Sequence, residues 1–474
     1  MEIIGRNKEK AQLERALRKQ KPELIAVTGR RRVGKTHLIR TIYADNIVFE
    51  ISGINKGRKQ DQIQNFISTC QYYKLGDIIK SNSWIEIFHQ FITLLERQKK
   101  ENTPVLFFDE LPWLATKRSG FLSAFANFWN SWASTQKIVV VICGSATSWI
   151  VKHVINNKGG LHNRITQHIN LKPFTLQETS QFLTHKKIKL SPHQVTQLYM
   201  ILGGIPMYLE NLNKDLSIAE NIQNIIFANS APLKNEYPNL YAALFERHED
   251  YTKIIKALSQ SRKGLLRNDI VDKTQLTNGG TFTQMIDDLI LADFIDKYNA
   301  YGKKNKNAVF KLKDYFSLFY HRFIEDKRAD PTFNFSYIIN TSAYKVFQGY
   351  AFENICFHHI VDIKKILGIS AVRTNVSSYQ SQANDTVPGT QIDLLIERAD
   401  NCIHIVEIKF SNTPFVITKK YAAELRLKET VFKTNTGYKH QIFFTMITSQ
   451  GLLQNKYSKE LINQSISLDQ LIKG

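Results

Sequence analysis

The chain is poor in cysteine: Cys70, Cys143, Cys356 and Cys402 are the only four in 474 residues, and they lie far apart. That spacing fits neither a zinc ligand set nor a disulfide framework, and it favours a reducing cytoplasm as the location. Long apolar runs are missing too. No stretch reaches the ~18 residues that would span a bilayer, so no membrane partner is expected. The opening MEIIGRNKEK turns charged at once and lacks the apolar core of a secretory signal. Acidic residues are outnumbered, 42 Asp and Glu against 63 Lys and Arg, for a formal net charge of +21. This imbalance favours an anionic partner such as nucleic acid. It does not decide the matter, because lysine is spread over the whole length beside many Asn and Gln, and the basic doublets are scattered like solvated faces. With 43% hydrophobic residues, 29 of the residues Phe and 19 Tyr, the chain is globular, and at ~150 residues per domain its length suggests about three domains.

Gly29 to Thr36 read GRRRVGKT, directly after the apolar run Leu24 to Val27. A strand, a glycine-rich loop and a Lys-Thr pair opening a helix form a phosphate cradle. Gly29 and Gly34 let backbone N–H groups turn toward phosphate oxygens, Lys35 brings a positive charge to the β and γ phosphates, and Thr36 offers a hydroxyl to Mg²⁺. The loop residues Arg30, Arg31, Arg32 and Val33 and the following His37 belong to the same ATP-binding segment. A second apolar run, Val105 to Phe108, ends in Asp109-Glu110. Such a run fits a parallel strand covered on both faces, and its terminal carboxylates would project into the ligand crevice. Asp109 would hold the metal through water and Glu110 would orient or activate the attacking water. A third run, Ile138 to Cys143, closes in Gly144-Ser145-Ala146 and puts the Ser145 hydroxyl beside the same crevice, as a γ-phosphate sensor or as a plain turn. Helical spacing from Phe121 to Trp132, between the second and third strands, completes the order of a doubly wound parallel sheet.

The chain resembles the bacterial and archaeal family of AAA+ ATPases allied to the signal-transduction ATPases with numerous domains. The likeness rests on Ile4-Gly5-Arg6, DELPWL at Asp109 to Leu114, CGSATSW at Cys143 to Trp149, NKGGLHNRIT at Asn157 to Thr166, LKPFTLQE at Leu171 to Glu178 and GGIPMYL at Gly203 to Leu209. It implies that Arg6, Gly204 and Pro206 lie near the nucleotide, the last two in a helical lid. It also implies that Arg164 reaches the γ phosphate from its own or a neighbouring subunit, the second of which would make the protein a homo-oligomer; a salt bridge independent of phosphate is the other role open to Arg164.

From Leu176 to about Phe245 the pattern is helical. Tyr251 to Leu258, Leu265 to Ile270 and Thr281 to Leu291 then predict three helices, and Phe294 to Tyr298 with Ala308 to Leu312 two strands, together a winged helix. Its recognition helix offers Thr283 and Gln284 but also Asp287 and Asp288, which phosphates repel. A structural or protein-contact role is favoured, with any DNA contact falling to Lys303, Lys304 and Lys306.

Near residue 390 the pattern changes to alternating strands, Gln391 to Ile396 and Ile403 to Phe410, around the turn Ala399-Asp400-Asn401. A hairpin centred on Asp400 sets Asp393 opposite Glu407 on one face, with Cα atoms about 4.5 to 5.5 Å apart. Lys409 lies on that face too. Asp followed by Glu-x-Lys on a neighbouring strand is the arrangement of the PD-(D/E)XK nucleases, in which carboxylates hold Mg²⁺ and lysine steadies or activates the attacking water. QIDLLIER and EIKFS resemble the nuclease-like domain that accompanies this ATPase, and GYAFE resembles its helix signature, which implies a first acidic residue at Glu353. Tyr421 and Arg426, on an expected helix Thr418 to Phe432, are auxiliary candidates, and His358 and His359 read as surface and packing residues. Lys409 could instead neutralise a buried acidic pair in an inactive nuclease fold.

The expected fold class is thus a multidomain α/β chain: P-loop AAA+ core at 1–175, helical lid at 176–245, winged helix at 246–325, linker at 326–340 and restriction-endonuclease-like domain at 341–474. The function this implies is a Mg²⁺- and ATP-dependent ATPase with a fused nuclease acting on DNA. The alternatives are a nucleotide switch whose carboxyl-terminal domain binds nucleic acid or protein without cleavage, and a winged-helix regulator.

Overall fold

The computed structural model describes residues 2–98, 102–302, 308–327, 333–383 and 388–473. The chain divides into two compact units, 1–173 with 286–293, and 174–285 with 294–474.

The first unit is built on five parallel strands, β1 (Glu23–Thr28), β2 (Ile47–Ser52), β3 (Val105–Asp109), β4 (Val139–Cys143) and β5 (Gln167–Asn170), in the order β2-β3-β4-β1-β5. The strands β1, β3 and β4 are buried along their whole length. Burial on both faces is why they read as unbroken apolar runs rather than alternating ones. Helices Lys59–Tyr72, Trp84–Glu96 and Phe121–Ser131 contribute rings to the core around Phe49, Phe66, Phe88, Phe91, Phe108 and Phe125; Phe49 and Phe91 lie 4.6 Å apart, Phe108 and Phe125 5.2 Å. Because β4 lies between β1 and β3, the segments leaving all three emerge side by side at the carboxyl edge of the sheet, where open α/β sheets bind ligands.

The second unit begins with helices Leu176–His185, Pro192–Leu202, Pro206–Glu210, Ile218–Ile222 and Glu236–Leu244. His248–Ser259 and Arg267–Thr274 follow, and helix Gly280–Leu291 starts in this unit and ends in the first. A small antiparallel sheet has the order β6 (Leu265–Leu266), β8 (Ala308–Leu312), β7 (Ile295–Asn299). Here the structure departs from the expected helix Leu265 to Ile270. Leu265 and Leu266 pair with Phe310 and Val309, and the helix begins only at Arg267, where the Asp269 carboxylate accepts the Leu266 N–H at 2.9 Å. The basic candidates Lys303, Lys304 and Lys306 lie outside the described residues. The expected linker 326–340 is packed where it is described. Phe333 and Phe335 are buried, Phe333 lies 4.9 Å from Phe227, and Gln223 bonds the backbone of both at 3.2 and 2.8 Å.

The last segment opens with helices Ser342–His358 and Ile360–Ile366, followed by β9 (Thr374–Ser381), β10 (Thr390–Arg398) and β11 (Cys402–Lys409). Helix Lys419–Thr436 leads to β12 (Gln441–Thr448) and β13 (Gln464–Ser467). The sheet order is β13-β12-β11-β10-β9, with β10 antiparallel to both neighbours and β11, β12 and β13 mutually parallel. Among the described residues no helix is long and apolar enough to cross a membrane.

Candidate functional site

The loop after β1 takes backbone conformations open mainly to glycine: φ is 140° at Gly29 and 90° at Gly34. At Gly29 space is limiting as well, since a Cβ would lie 2.2 Å from the Leu171 carbonyl oxygen. Gly34 caps helix Lys35–Ile42, so the helix N-terminus, with its unpaired N–H groups, faces the loop. The Lys35 ammonium donates to the carbonyls of Gly29 and Arg30 at 2.8 and 2.9 Å. Arg30 is buried, Arg31 and Arg32 are half-exposed, and His37 is exposed. Arg6 is buried and its Nη2 donates to the Val33 carbonyl at 3.3 Å, which ties the amino-terminal helix Asn7–Arg18 to the loop.

The Thr36 hydroxyl donates to Asp109 Oδ2 at 2.8 Å, and the other Asp109 oxygen accepts the Glu110 N–H at 2.9 Å. A hydroxyl and a carboxylate meeting at a helix N-terminus are oxygen donors of the kind a hard divalent cation takes, so Mg²⁺ fits this pair. Glu110 has φ of 45°, and its Oε2 accepts both the backbone N–H and the hydroxyl of Ser145, at 3.1 and 3.2 Å. Burial, with a smaller push from Asp109, raises the Glu110 carboxyl above the usual range against the pull of Ser145 and Lys35. Thus Lys35, Thr36, Asp109, Glu110 and Ser145, from three non-consecutive segments, meet in one place. Arg164 stands apart in an exposed turn, its N–H on the Leu161 carbonyl at 3.1 Å.

Gly204 and Pro206 belong to the second unit. A Cβ on Gly204 would lie 1.9 Å from the Phe174 carbonyl oxygen, and the Gly204 carbonyl accepts the Phe174 N–H at 2.6 Å. Pro206 opens helix Pro206–Glu210, where its missing N–H costs nothing. Close backbone packing accounts for the small residue of this motif, and the first helical position for its proline.

In the last segment, Leu394 pairs with Val406 and Arg398 with Cys402, the register of a turn centred on Asp400. The paired register ends at Leu394 and Val406, one residue short of Asp393 and Glu407. Glu407 is 0% exposed. Its Oε1 accepts from Lys428 Nζ at 2.5 Å, and its Oε2 from the Tyr421 hydroxyl at 2.9 Å and Lys409 Nζ at 3.4 Å. Lys409 Nζ also lies 4.0 Å from Asp393 Oδ2, which accepts the Ile408 N–H at 3.4 Å. Burial, then the Glu407 charge, raises the Asp393 carboxyl. Glu353 joins them from helix Ser342–His358: burial and the Asp393 charge push its carboxyl up to about 7, while Lys311, Arg262 and Lys409 pull it down.

Asp393 and Glu407 are oxygen donors suited to Mg²⁺, and the Lys409 ammonium lies 4.0 Å from the first and 3.4 Å from the second. Glu407, however, already has both oxygens bonded to protein donors. No group of three or more His, Cys, Asp or Glu arranged to hold a metal occurs among the described residues. Lys428 was missed by sequence reasoning; with Tyr421, Leu425 and Phe432 it repeats at helical spacing, so sharing a face with Tyr421 was the available signal. Arg426 is off that face and pairs with Glu460 at 2.6 Å. His358 bonds Asp296 at 2.8 Å and the Tyr315 hydroxyl at 2.7 Å. His359 accepts the Leu176 N–H at 3.0 Å, with its other nitrogen 2.9 Å from the Ile355 carbonyl oxygen.

Residues 4–212 match a family described as an ATPase domain predominantly from Archaea. An uncharacterized protein of Methanocaldococcus jannaschii is 22% identical over 437 residues, covering 90% of this chain and 91% of that protein. Among solved structures, a Walker-type ATPase of Pyrococcus abyssi aligns with a TM-score of 0.50 at 18% identity, over 68% of this chain and 96% of its own. The family match, together with the geometry of the P-loop, supports an ATP-binding ATPase core, and the solved structure shows a likeness of fold.

Proposed function

We propose that this protein is a Mg²⁺- and ATP-dependent ATPase whose carboxyl-terminal segment is a nuclease acting on DNA. The observation that carries the second activity is the convergence of Glu353, Asp393, Glu407 and Lys409 from a helix and two paired strands. At the P-loop, Lys35 exchanges the carbonyls of Gly29 and Arg30 for phosphate oxygens, and Thr36 and Asp109 would hold Mg²⁺, which would supply charge neutralisation at the phosphates. Glu110 accepts the proton of the attacking water. Ser145, bonded to Glu110, senses the γ phosphate. Arg6, Gly204 and Pro206 close around the nucleotide, and Arg164 reaches it from a second copy of the chain. Residues 176–245 serve as the lid, 246–325 as a winged helix and 341–474 as the nuclease-like domain. In that domain Asp393 and Glu407 would hold the metal, which would supply charge neutralisation at the scissile phosphate, while Lys409 steadies or activates the attacking water. The winged helix serves mainly for contact within the protein: Asp288 of its third helix is buried and paired with Lys152 at 3.2 Å.

A second reading, a nucleotide switch whose carboxyl-terminal segment binds without cutting, draws on the three donors that already engage Glu407. Thermal unfolding with added Mg²⁺ or Mn²⁺ separates the two. In a Lys35→Ala, Thr36→Ala background, stabilisation by metal that disappears with Asp393→Ala supports the nuclease; indifference to metal supports the binder.

A further inference from the structure

Lys311 is on β8, in the segment read as a winged helix, far in sequence from the carboxylates of the carboxyl-terminal sheet. Its ammonium lies 4.9 Å from the centroid of the Tyr350 ring and 5.4 Å from that of Phe357. Tyr350, Glu353 and Phe357 are spaced i, i+3 and i+7, so they line one face of helix Ser342–His358 with Glu353 between the two rings. A cation held over both rings is therefore beside Glu353. The charged groups around Lys311 are Glu353, Asp393, Asp296 and Arg262, and those around Glu353 are Asp393, Lys311, Arg262 and Lys409.

The same hairpin is anchored to this segment at two more points. Asp296 on β7 bonds His358, on the same helix, at 2.8 Å. At the hairpin's turn the Tyr301 N–H donates to the Ser378 carbonyl of β9 at 3.1 Å, and its ring lies 5.1 Å from Phe432.

We infer that the β7–β8 hairpin is a working part of the carboxyl-terminal site, with Lys311 as the positioning residue that holds Glu353 beside Asp393. The site is assembled by 294–474 together, and the segment from 341 onward does not complete it alone. In its catalytic consequence this rests on the nuclease reading; in its electrostatic basis it does not.

The test uses the full chain in two arms. In the first, DNA cleavage is measured for wild type, Lys311→Met and Lys311→Arg. Losing a cation that offsets one buried carboxylate lowers kcat about tenfold, the equivalent of one pKa unit, with KM for DNA little changed, and arginine restores most of it. In the second, melting temperatures are measured for Lys311→Met, Glu353→Gln and the double variant. If the pair interacts, Glu353→Gln recovers part of the melting temperature lost in Lys311→Met. Additive shifts overturn the inference, whether or not the protein cuts DNA. If wild type cleaves and Lys311→Met cleaves equally well, the inference falls and the nuclease reading stands. If wild type does not cleave, that reading falls and the second arm alone decides.

Discussion

Ser145 gives both its backbone N–H and its hydroxyl to one carboxylate oxygen of Glu110, at 3.1 and 3.2 Å. Ser145 directly follows Gly144 at the exit of β4, the strand between the P-loop strand and the Asp109 strand. On the proposed roles, in which Ser145 touches the γ phosphate and Glu110 activates water, nucleotide sensing and hydrolysis would share these two hydrogen bonds. Glu110→Gln should lower kcat for ATP hydrolysis by about 10²–10⁴-fold, the range of general-base loss, with ATP affinity retained. Ser145→Ala keeps the backbone bond and should cost less, about tenfold, the equivalent of ~1.4 kcal/mol. Phosphate release and nucleotide titration measure the two effects separately.

Space decides in opposite directions at two glycines, Gly204 and Gly349. Gly204→Ala forces a Cβ to 1.9 Å of the Phe174 carbonyl oxygen, and backbone cannot move aside as a side chain can. A loss of about 2–4 kcal/mol in unfolding free energy is expected, the upper range for overpacking. Gly349, in the middle of helix Ser342–His358, has nothing within 4 Å of an added Cβ, so Gly349→Ala should stabilise by about 0.5–1 kcal/mol. Denaturant titration checks both signs.

Lys428 is the partner on which the buried Glu407 depends most closely, at 2.5 Å. Lys428→Met leaves a carboxylate in the interior with one cation fewer, and breaking a buried pair costs about 3–5 kcal/mol. Adding Glu407→Gln should recover much of that loss, which chemical denaturation of the double variant would show. Two losses that simply add would mean the pair contributes nothing.

His359 sets a pH dependence. Burial, its first cause, holds the imidazole at about 4, well below its ordinary 6.5. The unfolded chain therefore binds more protons between those values. Stability contributed by neutral His359 is full above pH 6.5 and is lost as pH falls toward 4, by about 3 kcal/mol at 1.36 kcal/mol per pKa unit. Unfolding free energies measured across that window for wild type and His359→Gln should differ in slope, with the variant flatter.

The P-loop and the hairpin about Asp400 were legible because each depends on short-range geometry. Gly29 and Gly34 mark a turn that few other residues tolerate, and a hairpin about Asp400 fixes what faces what. The helix at Leu265 misled because its apolar pair also suits a short strand, and only pairing with Val309 and Phe310 decides. Lys428 and Lys311 were hidden for another reason. A lysine on a helix or a wing reads as solvated until a distant carboxylate is brought beside it, and no local pattern announces that meeting. The buried Phe333 and Phe335 lay unnoticed in a polar, proline-bearing stretch for the same reason.

Cleavage and ATP hydrolysis measured in one sample, with Mg²⁺, test most directly whether the two sites belong to one ATP-regulated nuclease. Wild type should cut or nick DNA with ATP present, Lys35→Ala should lose both activities, and Asp393→Ala and Lys409→Ala should lose cleavage while hydrolysing ATP normally. Intact ATP hydrolysis with no cleavage of duplex DNA, single-stranded DNA or RNA would contradict it.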